Sequence, residues 1–194
     1  MAPTPRLVTY SMNISLDGYF VGPGGGFDWS EPDEEVFAAH TEELRGIGVH
    51  LLGRRLHETT SYWETADQEP ESDHSTVEWA QMWRAVPKVV FSRTLTEVTG
   101  TNTRLATRGL ADEIAALRAQ PGEEEIALGG GELAAEAAAL DLIDEYRPFV
   151  LPVVVGGGRP YWPQGLSRID LEQVSSRTFG NGVVASRYRV VWPG

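Results

Sequence analysis

The sequence predicts a three-layer α/β fold: a mainly parallel central sheet, helices on both faces and a C-terminal antiparallel hairpin. Three patterns predict it. Through about the first 140 residues short apolar strands alternate with helical stretches, the signature of parallel strands covered on both faces. Glycine runs stand where strands hand over to helices. The last 40 or so residues carry two alternating segments instead, as an antiparallel pair does.

The elements follow in order. From Leu7 to Ser15, Val8, Tyr10, Met12 and Ile14 alternate with Thr9, Ser11, Asn13 and Ser15, a period of two and hence a strand. Asp17-Gly18 and the glycine-rich stretch Gly22 to Gly26 read as loop. Pro32 to Arg45 reads as a helix with Ser30 as N-cap, Pro32 in the first turn and Asp33, Glu34 and Glu35 at its positive end. Gly46 and Gly48 stop it before a short buried-type strand, Val49 to Leu52. Glu64 to Glu78 carries six acids and no Lys or Arg, which reads as an exposed loop passing into a helix over Val77 to Arg84. Strands are expected at Lys88 to Phe91 and Thr103 to Ala106, then an amphipathic helix from Leu110 to Ala119, closed by Pro121-Gly122. Glu125 to Leu128 runs through Gly129-Gly130-Gly131 into the alanine-rich helix Glu132 to Leu140. Glu145 to Val155 is strand-like, and Ile169 to Val174 with Val183 to Trp192 forms the hairpin. No linker or repeat interrupts the chain, so one domain over residues 1–194 is expected.

Composition narrows the function. With 28 acidic against 16 basic side chains the formal charge is -12, which repels polyanions, so neither nucleic acid nor a membrane surface is an expected partner. There are no cysteines, which excludes disulfides, thiolate metal sites and cysteine nucleophiles. The four histidines share no ligand spacing, so no metal is expected. No apolar stretch has signal-peptide or membrane-spanning length, and a cytoplasmic location is expected.

Against this acidic background, three positively charged or glycine-lined sites each fall just past a strand's carboxyl end, where open α/β sheets bind ligands. Gly129, Gly130 and Gly131 with Glu132 make a strand–turn–helix in which backbone N–H groups meet a phosphate; the same run also fits an unliganded tight turn. Gly53-Arg54-Arg55 places two guanidinium groups at a helix start, suited to a pyrophosphate. Ser92-Arg93-Thr94 sets an Arg between two hydroxyls, a grouping that serves a ribose 2′-phosphate. Asp17 lies at the same edge, either facing a pocket or simply turning the chain, and Asp33 is a second carboxylate there.

Taken together, Ser15-Leu16-Asp17-Gly18-Tyr19, Asp28-Trp29, Leu52 to Glu58, Val89 to Thr94, Ile126 to Glu132 and Pro152 to Gly158 resemble the dihydrofolate-reductase-like superfamily. The resemblance is closer to the reductase domain of riboflavin biosynthesis, and it covers nearly the whole chain. It implies an NADPH-dependent reductase acting on a small heterocyclic or ribosylamino-pyrimidine substrate, as 5-amino-6-(5-phosphoribosylamino)uracil reductase does. The alternatives are a dihydrofolate or pterin reductase and a non-catalytic NADP(H)-binding module. By position, Gly53, Arg54, Arg55 and the Gly129–Gly131 turn with Glu132 would hold the pyrophosphate, and Ser92, Arg93 and Thr94 the 2′-phosphate. Asp28, Trp29 and Asp33 would face the substrate, and Asp17, or a water it orders, would deliver the proton. The aromatic-rich C-terminal end (Tyr161, Trp162, Phe179, Tyr188, Trp192) suits either a homodimer contact or the core of a monomer.

Overall fold

The computed structural model describes residues 6–192. In chain order its regular elements begin β1 (Val8–Ser15), β2 (Tyr19–Val21), α1 (Glu34–Arg45), β3 (Ile47–Gly53), α2 (Arg54–Thr60), α3 (His74–Ala85), β4 (Lys88–Phe91) and β5 (Thr103–Leu105). They continue with α4 (Leu110–Arg118), β6 (Glu125–Gly129), α5 (Gly131–Ala139), β7 (Glu145–Leu151), β8 (Arg159–Pro160), β9 (Leu171–Thr178) and β10 (Val184–Val190).

Eight strands make one sheet in the order β5-β4-β3-β6-β1-β7-β10-β9. The first six run parallel, and β10 and β9 add the antiparallel edge. The fold is therefore the α/β class expected. Because strand side chains alternate between faces, neighbouring residues of β3 and β4 serve different layers. Leu51 and Val89 pack with Leu110, Ile114 and Leu133 of α4 and α5. Leu52 and Val90 pack with Trp83 of α3, flanked by Leu56 and Trp79. Leu110, Ile114 and Leu117 recur at helical spacing, which is why α4 lays one stripe on the sheet. Each fully buried Leu or Ile contributes about 1.5–3 kcal/mol, and Leu51→Ala would cost about 2–5 kcal/mol.

Several boundaries differ from the expectations, each for a local reason. Helix α1 starts at Glu34, and its N-cap is Asp33 rather than Ser30: the Asp33 carboxylate accepts from Val36 N at 2.9 Å. Ser30 closes a short 3-10 turn, Asp28–Ser30, and its hydroxyl donates to Phe27 O. The acidic stretch from Glu64 is exposed only in part: Glu69 and Glu71 face solvent, but the other acids are engaged. Asp67 clamps Arg84 with two bonds of 2.9 and 2.6 Å, Glu64 accepts from Thr101 N, and Asp73 caps α3, which therefore begins at His74. Strand β7 ends at Leu151, just before Pro152, short of the expected Val155.

A second, two-stranded ribbon of β2 and β8 was not expected at all. Gly158 makes it feasible: its φ is +119°, and a Cβ there would overlap the Val21 carbonyl oxygen. At the C-terminal end the aromatics divide. Tyr161 is buried, stacked on Tyr10 at 4.6 Å with its hydroxyl on Tyr10 O, and Phe179 is buried with Val36 and Phe149. Trp162 and Trp192 are exposed.

Two buried charges are held by polar neighbours. Arg147 spans Glu125, at 2.7 Å through each nitrogen, and Glu145 at 2.6 Å. Lys88 Nζ donates to the carbonyls of Trp83 and Val86. No described helix is long and apolar enough to cross a membrane.

Candidate functional site

The carboxyl ends of β3, β4 and β6 open into a cleft of about 1050 Å³. Its outer rim carries the guanidinium groups: Arg54 and Arg55 at the start of α2, Arg93 after β4 and Arg108 after β5. Arg159, on the β2–β8 ribbon, joins them from above, beside Phe20 and Val21. Its inner part lies between β1 and helices α1 to α3, where Ser11, Asn13, Phe37, His40, Trp63 and Trp79 line it.

The rim arginines are not equivalent. Arg54 is bonded to Glu58 at 2.9 Å, one turn on, and Arg55 to Glu132 at 3.2 Å across the mouth of the glycine turn. Arg108 faces the buried Glu113 at 3.5 Å. Arg93 and Arg159 are exposed and have no acidic partner among the described residues. The Ser92 hydroxyl accepts from the amides of Thr94 and Leu95, so it builds the turn that presents Arg93.

The three glycines have three different reasons. A Cβ on Gly129 would lie 2.6 Å from Leu56 and 2.7 Å from Leu52, so its absence lets α2 close on the sheet. Gly130 takes φ +104°, outside the range of L side chains. A Cβ on Gly131 would meet the Phe20 ring at 2.6 Å. Helix α5 begins there without a side-chain cap, so its first N–H groups lack an intrahelical partner. Gly130, Gly131 and Glu132 line the cleft, whereas Gly129 is buried behind them.

The proposed substrate acids do not reach the cleft. Asp17 turns away to fasten the loop after β7: its oxygens accept from Val155 N at 3.1 Å and Gly156 N at 2.8 Å. Its carboxyl is held below the usual range first by the Ser15 hydroxyl and then by these amides. Asp33 is spent as the α1 cap, and Asp28 is exposed beside, not in, the cleft. Trp29 packs with Val36 and Phe149, while its neighbours Phe27, Ser30 and Pro32 supply the lining.

A pair on β1 and α1 stands where those acids were expected. Asn13 Nδ2 donates to Ser30 O at 2.9 Å, and Asn13 Oδ1 lies 2.9 Å from His40 Nε2. The carbonyl of Ser30 only accepts, which fixes the amide; His40 Nε2 therefore carries the hydrogen. Burial pushes the His40 pKa down to about 4, with the ring against Phe149 at 4.2 Å. No motif marks this pair: Asn13 and His40 are 27 residues apart, and only the packing of α1 on β1 joins them.

The eight-stranded sheet, with its cleft at the carboxyl ends of the parallel strands, gives the chain a dihydrofolate-reductase-like fold, and open α/β sheets bind their ligands at that edge. The RibD C-terminal domain matches residues 6–185, and the chain belongs to that family. A Bacillus subtilis (strain 168) protein, "Uncharacterized protein YyaP", is 29% identical over 192 residues, covering 97% of this chain and 96% of the relative. A putative riboflavin biosynthesis protein from Shewanella sp. PV-4 superposes with TM-score 0.76 at 23% identity, covering 96% of this chain and 99% of that one. The Thermotoga maritima diaminohydroxyphosphoribosylaminopyrimidine deaminase/5-amino-6-(5-phosphoribosylamino)uracil reductase gives TM-score 0.66 at 15% identity, covering 96% of this chain; the match spans 57% of that longer chain. Enterococcus faecalis dihydrofolate reductase, in a complex with NADP(H), gives 0.60 at 12% identity, covering 95% and 96% of the two chains.

Proposed function

We propose that this protein is an NADPH-dependent reductase of a small ring compound. The observation that carries the reading is Arg93: an exposed guanidinium without an acidic partner, fixed by the Ser92 turn on the rim that also holds Arg54, Arg55 and the uncapped start of α5. These residues fit a dinucleotide. Gly130 and Gly131 line the cleft where α5 begins uncapped, so free N–H groups suit a phosphate, Arg54 and Arg55 supply planar donors for a pyrophosphate, and Arg93 with Thr94 suits a 2′-phosphate.

Bound there, NADPH supplies the hydride for a C=N or C=O carbon of the substrate. The chain's own residues orient and enclose. Arg55 trades Glu132 for the phosphate, the β2–β8 ribbon roofs the cleft, and the aromatic inner wall excludes water. The carboxylates lining the cleft are Glu132 and Glu136, both on α5, and His40 is neutral with its Nε2–H given to Asn13. The proton that completes the reduction therefore comes from water rather than from Asp17. Two of the structures the chain resembles, a putative riboflavin biosynthesis protein and a 5-amino-6-(5-phosphoribosylamino)uracil reductase, support a pyrimidine-like ring as substrate class.

Calorimetric titration with NADPH and NADH tests the reading. Arg93→Ala should weaken NADPH about 10-fold, because an exposed charge-assisted contact falls at the low end of 1.5–3 kcal/mol, and should leave NADH unchanged. No NADPH binding by the wild type, or equal losses for both nucleotides, would refute it.

A further inference from the structure

The inner chamber differs in chemistry from the rim. Phe37, Trp63 and Trp79 form one aromatic wall, with ring centroids 5.2 to 6.1 Å apart. The Trp79 Nε1–H is buried without a hydrogen-bond partner. Asn13 and His40 line the same chamber. Strand β1 contains no Lys or Arg, and the one Arg of α1, Arg45, is turned outward to Glu42 and Glu78. The cleft's cations are thus confined to the rim and the ribbon.

We propose that this chamber takes a flat, uncharged nitrogen heterocycle, and that His40 selects it by accepting a ring N–H at Nδ1, with Asn13 as the positioning residue. The inference rests on the reductase reading for its context, yet its logic is local. Asn13 Nδ2 is committed to Ser30 O, so its Oδ1 faces His40 and takes the Nε2–H. That leaves Nδ1 as an unprotonated acceptor, and among the described residues nothing bonds to it. His40 lines the cleft, so the lone pair serves an occupant. The aromatic wall supplies a face for a planar ring to lie against. A phosphorylated or anionic ring finds no counter-charge in this half and would strand its charge against indole and phenyl groups.

The test uses the full-length protein saturated with NADP+, which binds without reacting, and two probe pairs: uracil with 1,3-dimethyluracil, and quinazoline-2,4-dione with its 1,3-dimethyl derivative. Calorimetry on the wild type should favour each N–H compound over its methylated partner by about 10- to 100-fold, the cost of leaving one acceptor unpaired. In His40→Leu that preference should collapse; in His40→Gln, whose amide oxygen still accepts, part of it should return. A merely structural role would weaken both members of a pair alike. Nitrogen-15 NMR of labelled histidine should show the Nε2–H tautomer of His40, with its Nδ1 resonance moving when uracil or quinazoline-2,4-dione is added. Equal binding of methylated and unmethylated probes, a preference that survives His40→Leu, the opposite tautomer, or no binding of either N–H compound would each overturn the proposal. Failure of NADP+ to bind at all would instead overturn the reductase reading, and the NMR tautomer would still judge His40.

Discussion

Replacing Gly158 by Ala should detach the ribbon that roofs the cleft, whereas the same change at Gly156 should not. At Gly158, φ +119° lies in a region L residues hardly populate, at a cost of about 1–3 kcal/mol. The added Cβ would also overlap the Val21 carbonyl oxygen and lie 2.7 Å from the Gly22 carbonyl carbon. Both are backbone groups, so no rotamer relieves the clash and β8 must leave β2. At Gly156, φ is +77° and a Cβ meets nothing within 4 Å, leaving a backbone cost of about 1–2 kcal/mol. The readout is hydrogen exchange at the Tyr161 amide, which donates to Gly18 O at 2.9 Å across the ribbon's base. A local loss of about 3 kcal/mol corresponds to exchange faster by about 100-fold or more in Gly158→Ala. In Gly156→Ala the change should be about 5- to 30-fold at most. Equal Tyr161 protection in the two variants would refute the steric reasoning.

Three further outcomes are expected. Arg147→Met strands Glu125 and part of the Glu145 pairing in a buried setting and should cost about 3–5 kcal/mol in urea denaturation. His50 is half-buried against Trp83 with Nε2 unpartnered, and burial, then Lys88, pushes its pKa down to about 3. A lowered histidine pKa means that the unfolded chain binds the extra proton, so this stability is present above about pH 6.5 and drains away as pH falls. At pH 5 the loss is about 2 kcal/mol, and His50→Leu should flatten that part of the stability–pH curve. Glu132→Gln frees Arg55 and should tighten NADPH about two- to fivefold by calorimetry, as befits an exposed pair.

The fold was readable because its strands are short, apolar and punctuated by glycine. Leu51 and Leu52, or Val89 and Val90, serve opposite layers, so continuous apolar runs announce a sheet covered on both faces. The rim was readable for a related reason: Gly53 ends β3, and Arg93 and Gly130 come within two residues of the ends of β4 and β6, so chain order already places them at one edge. What stayed hidden depends on long-range pairing. Tyr19–Val21 and Arg159–Pro160 are too short to show a period, and each is a strand only because the other lies beside it. Asp17 and Asp33 look alike as edge carboxylates, but Asp33 caps its own helix through Val36, three residues on, whereas Asp17 meets Val155 and Gly156, which only the fold brings to it. Glu64 and Asp67 count as surface until Thr101 and Arg84 arrive from elsewhere in the chain.

The wall formed by Trp63 and Trp79 also makes the cleft optically self-reporting. The chain has six tryptophans; Trp29 and Trp83 sit in packed clusters and Trp162 and Trp192 face outward, so the two at the cleft are the ones an occupant reaches. Indole emission overlaps the absorption band of a reduced nicotinamide but not that of the oxidised form. If the proposed NADPH binds there, energy transfer would therefore dim the protein's indole emission, most strongly at these two residues, and restore it as the cofactor is oxidised. Turnover could then be followed from the protein's own light, without any label and without knowing the substrate beforehand.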